Sequence, residues 1–206
     1  MDFFNLIGYF ISVAKLRTTF APTPLAAVKT VVGEVGACPP LADIKSKAEA
    51  AGFKLELIEA APSDPFFKVK ADDLVGLLKW IRDDLNLEFN FLQVVSAVDF
   101  VEKAATEDSP AVRARMELLY VLYSFPLRAY LNVKVELPRE NPQINTVAHL
   151  FRAANWYERE CYDMMGIKFI GHPHLERILL PSDWVGHPLK KDYVYPEEYN
   201  GMKVPL

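Results

Sequence analysis

Residues 128–137 alternate without a break. Leu131, Val133, Val135 and Leu137 fall on one side, and Arg128, Tyr130, Asn132, Lys134 and Glu136 on the other. Successive side chains of a strand point to opposite faces, so this pattern predicts a strand with one buried and one wet face. Sheets of that kind are mostly antiparallel, because parallel crossovers bury both faces. The runs FNFLQVVSAVDF (89–100) and MELLYVLYSF (116–125) predict two more strands ahead of it, the first pair joined by a polar hairpin loop over 101–112.

Upstream, LADIKSKAEAAGF has Leu41, Ile44 and Ala48 at helical spacing and stops at Gly52. Two short strands follow, FKLELIEA from Phe53 and FFKVK from Phe66, separated by a turn over 61–65. Residues 71–85 give the clearest helix: Asp72 and Asp73 suit its positive N-terminal end, and Leu74, Leu77, Leu78, Ile81 and Leu85 form one apolar stripe. The order of elements argues an α+β fold: a mixed, mostly antiparallel sheet with helices packed on one face, followed by a long extended C-terminal tail. The predicted organisation is an N-terminal extension over 1–40, an α+β domain over 41–154, and a helix with a partner-wrapping tail over 155–206.

Several function classes are excluded at this level. With 206 residues and a net charge of −4, nothing in the charge balance invites nucleic acid. No Gly-x-Gly-x-x-Gly or phosphate-cradling Gly-x-x-x-x-Gly-Lys-Ser/Thr occurs, so a nucleotide has no visible seat. Cys38 and Cys161 make neither a disulfide framework nor an iron–sulfur ligand set, and point to a reducing compartment. The apolar start MDFFNLIGYFISV is shorter than the ~20 residues that span a bilayer and lacks a basic leader region; an amphipathic helix docking on a partner is the expectation.

The densest stretch is 155–192, with three of the four histidines and two of the three tryptophans. Asn155-Trp156-Tyr157-Glu158 has the form of a capping box, opening a helix to about Met164 that Gly166 terminates. On it Arg159 and Asp163 stand four apart and are expected to pair. Glu158, Cys161, Tyr162 and Met165 form a face expected to meet another protein. Gly171-His172-Pro173 and Gly186-His187-Pro188 repeat one turn device. His172, His174 and His187 with Cys161 match neither a structural nor a catalytic zinc pattern well, and no nucleophile arrangement accompanies the carboxylates. A stand-alone metalloenzyme using the three histidines is the alternative reading.

Glu158-Arg159-Glu160-x-Tyr162-Asp163-Met164-Met165-Gly166-Ile167, then Gly171-His172-Pro173-x-Leu175-x-Arg177-Ile178-Leu179, then Asp183-Trp184-x-Gly186-His187-Pro188-Leu189-x-Lys191-Asp192-Tyr193 closely resemble the signature of the 30 kDa (C) subunit of NADH-quinone oxidoreductase, a family of respiratory complex I. The likeness is dense over 155–193 and the α+β order suits the family over roughly 41–154. Met165, His174, Glu176, Val185, Lys190 and Arg152 depart from its usual residues, and Lys190 in place of Arg loses a bidentate donor. The resemblance implies a non-redox scaffold in the peripheral arm of a proton-translocating complex, packed against the quinone-site (49 kDa, D) subunit near the iron–sulfur subunits. It implies no cofactor in this chain, with FMN and iron–sulfur clusters carried elsewhere in the complex. It also implies peripheral membrane attachment through the complex, on the cytoplasmic side of a bacterial inner membrane. The equivalent subunit of a hydrogenase or other-donor dehydrogenase complex is a further alternative. The residues expected to face a partner are Trp156, Glu158, Arg159, Tyr162, Asp163 and His172 on and near the helix, and Arg177, Trp184, His187, Lys191 and Asp192 on the tail.

Overall fold

The computed structural model describes residues 39–59, 64–84, 86–105 and 111–204. The expected N-terminal extension and its docking helix, Cys38, Leu85, and parts of the 61–65 turn and the 101–112 loop lie outside them. The fold is α+β, as the alternation predicts. In chain order the elements are α1 (Leu41–Ala50), β1 (Leu55–Ile58), β2 (Phe66–Val69), α2 (Ala71–Asp83), β3 (Phe91–Phe100), β4 (Arg115–Ser124), β5 (Ala129–Leu137), β6 (Gln143–Asn145), α3 (Ala154–Met165), β7 (Lys168–Ile170), β8 (Glu198–Tyr199) and β9 (Met202–Lys203).

Strands β1 to β5 form one mixed sheet in the order β1-β2-β5-β4-β3. Three of its pairings are antiparallel; β2 and β5 run parallel, Phe67 opposite Val133 and Val69 opposite Val135. On β5 the alternation holds, with Leu131, Val133, Val135 and Leu137 buried. Arg128, predicted to begin the outward set, instead sits in the β4–β5 turn at φ 48. The inward side chains of β4 (Met116, Leu118, Tyr120 and Leu122) meet the α2 stripe of Leu74, Leu77, Leu78 and Ile81 in one buried cluster. Truncating one of those leucines to Ala should cost about 2–5 kcal/mol.

Two features are not visible in the pattern. β6 and β7 form a separate parallel pair of three residues each, with Ile144 opposite Phe169, both buried. The predicted extended tail is a strap of turns over 171–193 that ends in the β8–β9 hairpin. Among the described residues no helix is long and apolar enough to cross a membrane.

Candidate functional site

Helix α3 and the strap form the site. The capping box does not: the helix starts at Ala154, its N-terminal flank Ala153 is already helical, and no side chain caps it. The amide of Ala154 is taken by Phe151 O at 3.0 Å, so the chain turns into the helix before Asn155. Glu158 does not reach back along the helix. Its fully buried carboxylate (0% exposed) accepts from Thr146 Oγ1 and, at 2.7 Å, from the Val147 amide, tying α3 to the segment after β6. Burial, against the pull of those two donors, pushes its carboxyl up to about 7. The C-terminal end matches expectation: Gly166 closes the helix at φ 75.

Asp163 is also 0% exposed and is the organising residue of the strap. The expected pair with Arg159 is absent. Asp163 Oδ1 takes Arg177 Nη1 at 2.6 Å, and Oδ2 accepts the amides of Ile178, Leu179 and Leu180 at 3.0, 2.8 and 2.9 Å. Burial alone would raise this carboxyl, but the Leu180 and Leu179 amides, the Arg177 guanidinium and the Ile178 amide together hold it below the ordinary carboxylate range. Arg177 Nη2 then donates to the carbonyls of Trp184 at 3.0 Å and Gly186 at 3.2 Å. Arg159 is spent on the carbonyls of Glu176 and Arg177, each at 3.1 Å. One acidic side chain on α3 thus orders the strap from 177 to 186.

The two Gly-His-Pro turns are fixed from the same helix. His187 Nδ1 lies 2.9 Å from Asp163 O, and His172 Nε2 lies 3.3 Å from Asn155 O. His172 Nδ1 accepts the His174 amide at 3.0 Å, so its Nε2 carries the proton. Burial lowers both imidazoles from the ordinary range. A Cβ on Gly166 would lie 2.7 Å from the His187 ring and one on Gly186 2.6 Å from the Tyr193 ring, so both close approaches require glycine. Among the described residues no group of three His, Cys, Asp or Glu is placed to hold a metal. The alternative set of His172, His174 and His187 is dispersed, its first and last members committed to opposite ends of α3.

A second tie, which the sequence reading missed, joins strap to sheet. Asp99 on β3 is buried and holds Arg139 through two bonds, Nε to Oδ1 at 2.7 Å and Nη2 to Oδ2 at 2.9 Å. Its Oδ2 also accepts the Lys191 amide at 2.9 Å, and Arg139 Nη2 reaches Asp192 at 2.7 Å. Burial pushes Asp99 up less than Arg139 and the Lys191 amide together pull it down. Asp99 in a hydrophobic strand and Arg139 after a proline are 40 positions apart, a separation that carries no periodic signal.

These contacts correct part of the partner-facing set. Glu158, Asp163 and Trp184 (8% exposed) are buried in the chain's own fold, and Arg177, His172 and His187 bond internally. On the helix face expected to meet another protein, Cys161 and Met165 are buried with Glu158. The strap is therefore folded against the chain's own α3. Trp156, 63% exposed, stands at the surface with Lys191 and Asp192; Arg159 and Tyr162 are half-buried.

The fold is thus of the α+β class, a mixed sheet whose chain continues into a C-terminal strap tied back onto one helix and one strand by buried acid–base pairs. The chain belongs to the family of the respiratory-chain NADH dehydrogenase 30 kDa subunit, whose model matches residues 67–199, from β2 through the strap. It is 43% identical over 129 residues to the C subunit of NADH-quinone oxidoreductase from Moorella thermoacetica, 63% of this chain and 79% of that relative. With the C subunit from Chlorobium phaeobacteroides it shares 37% over 158 residues, 76% of this chain and 90% of the relative. With that of Chloroherpeton thalassium it shares 38% over 162 residues, but spans only 62% of the relative's length. Among solved structures, the trypsin-resistant fragment (1-134) of Nqo5 superposes with a TM-score of 0.52 at 25% identity, covering 66% of this chain and 98% of the fragment.

Proposed function

We propose that this chain is a non-redox scaffold subunit in the peripheral arm of a proton-translocating NADH:quinone oxidoreductase. It packs against the quinone-site (49 kDa, D) subunit and supports electron transfer from NADH to quinone by holding that subunit beside the iron–sulfur subunits. FMN and the iron–sulfur clusters sit in other chains, and this chain is held at the cytoplasmic side of a bacterial inner membrane through the complex. The observation that carries the reading is the family match over 67–199, which includes the strap as well as the sheet. The use of the strap's polar groups agrees with it: Asp163, Arg177 and Asp99 are saturated by internal partners, which suits a preformed surface better than turnover.

The test is gentle purification of the chain, tagged at its N-terminus, from detergent-solubilised native membranes, with its partners recorded and NADH:quinone reductase activity assayed. Co-elution with the quinone-site and iron–sulfur subunits together with NADH-driven activity is expected. Co-elution without that activity would assign the chain to a complex fed by another donor, and a solitary chain would overturn the scaffold role.

A further inference from the structure

Trp156, Glu160 and Met164 recur at four-residue spacing on α3 and so share one side of the helix. Trp156 is 63% exposed. At the C-terminal end of the helix the strap brings in Leu189, 49% exposed, whose amide donates to Met164 O at 3.1 Å. Between them Glu160 is half-buried, and among the described residues no hydrogen bond or ion pair reaches its carboxylate. Burial raises the pKa of that group. The contrast with its neighbours is sharp, since Glu158 and Asp163 on the same helix and Asp99 on β3 are each met by two or more donors. Nor is the adjacent cation available: Arg159 is bound to the carbonyls of Glu176 and Arg177, with its guanidinium 5.7 Å from the Trp156 ring centroid.

A half-buried carboxylate that meets no protein donor is left to water alone, and a cation brought to it can replace that water with a charge-assisted hydrogen bond. The apolar flanks favour a cation on an aliphatic stem, the chemistry of Arg and Lys side chains. We propose that the Trp156–Glu160–Met164 side of α3 docks an Arg or Lys side chain from a partner subunit, its charge pairing with Glu160 and its stem lying against Trp156. This rests on the scaffold reading above and names where on the chain the partner's charge is received.

The experiment repeats the tagged purification from native membranes with the full chain carrying Glu160→Gln, Trp156→Ala or, as a control, Glu176→Gln on the exposed strap. Co-purified subunits are quantified by mass spectrometry at low and raised salt. Recovery with the unsubstituted chain decides the scaffold reading by itself. Given that recovery, E160Q should lower the yield of partner subunits about tenfold at low salt, the effect of losing one charge pair, and the gap should narrow as raised salt screens that pair in the unsubstituted chain. W156A should lower it too, and E176Q should match the unsubstituted chain. The Tm of the purified E160Q chain should be unchanged or higher, because a neutral amide is easier to half-bury. Full recovery of partners by E160Q at every salt concentration overturns the proposal. So does lost recovery together with a lower Tm, which would make Glu160 an internal support.

Discussion

Glu158 and Asp163, five residues apart on one helix, are both fully buried and are pushed in opposite directions. Glu158 has two donors against its burial; Asp163 has four, one of them a guanidinium. The sign of their pH effects follows. For Glu158 the folded pKa of about 7 lies above the unfolded value near 4.5, so the native state holds the extra proton between them. Stability from this group is then present below pH 4.5 and falls as pH rises toward 7, with a slope of up to about 1.4 kcal/mol per pH unit. Glu158→Gln should flatten that limb of a urea-derived stability profile. Asp163 contributes in the other sense: its stabilisation is present above the unfolded carboxylate range and is lost as pH falls through its depressed folded value. Asp163→Ala leaves Arg177 and three amides without their acceptor and should cost about 3–5 kcal/mol, read from the urea midpoint. The sequence alone points to a weak surface pair with Arg159 and an assembly role; burial makes Asp163 a folding residue first.

At the scale of elements, the strap is stable because backbone groups that a loop would leave to water are gathered by side chains on α3 and β3. Its turns depend on close approach at two glycines. Gly166→Ala and Gly186→Ala each force a Cβ into an aromatic or imidazole ring at positive φ, a strain of about 1–3 kcal/mol. Hydrogen exchange should accelerate across 171–193 in both variants while the amides of β4 and β5 keep their protection. Uniform acceleration would mean the strap does not open separately. The difference between legible and illegible elements has the same origin. β5 and α2 carry repeated apolar positions over ten or so residues, and their burial follows from period alone. β6 and β7 offer three residues each, too few for a period, and pair only because α3 brings their ends together. The signature residues of 155–193 are conspicuous, but their pairings are not: His172 with Asn155 O, or Asp163 with three amides fifteen or more positions ahead, are tertiary choices.

Taken whole, the described chain is a sheet-and-helix layer carrying one strap that is tied at two places, to α3 through Asp163 and to β3 through Asp99. If the strap behaves as one cooperative unit, cutting either tie frees much of it, and cutting the second then removes bonds already lost. Asp99→Asn and Asp163→Asn should each destabilise the protein, because the amide keeps one acceptor oxygen but loses the charge that faces Arg139 or Arg177 and turns an NH2 toward the donors that the second carboxylate oxygen served. The double variant should fall short of the sum by about 1–3 kcal/mol, the coupling expected of residues acting through one shared structure. Equilibrium urea unfolding of the four chains measures it directly. Strict additivity would instead mean that 177–187 and 191–193 are held as two independent patches, so that a partner subunit seated on one could order it without bringing the other into place.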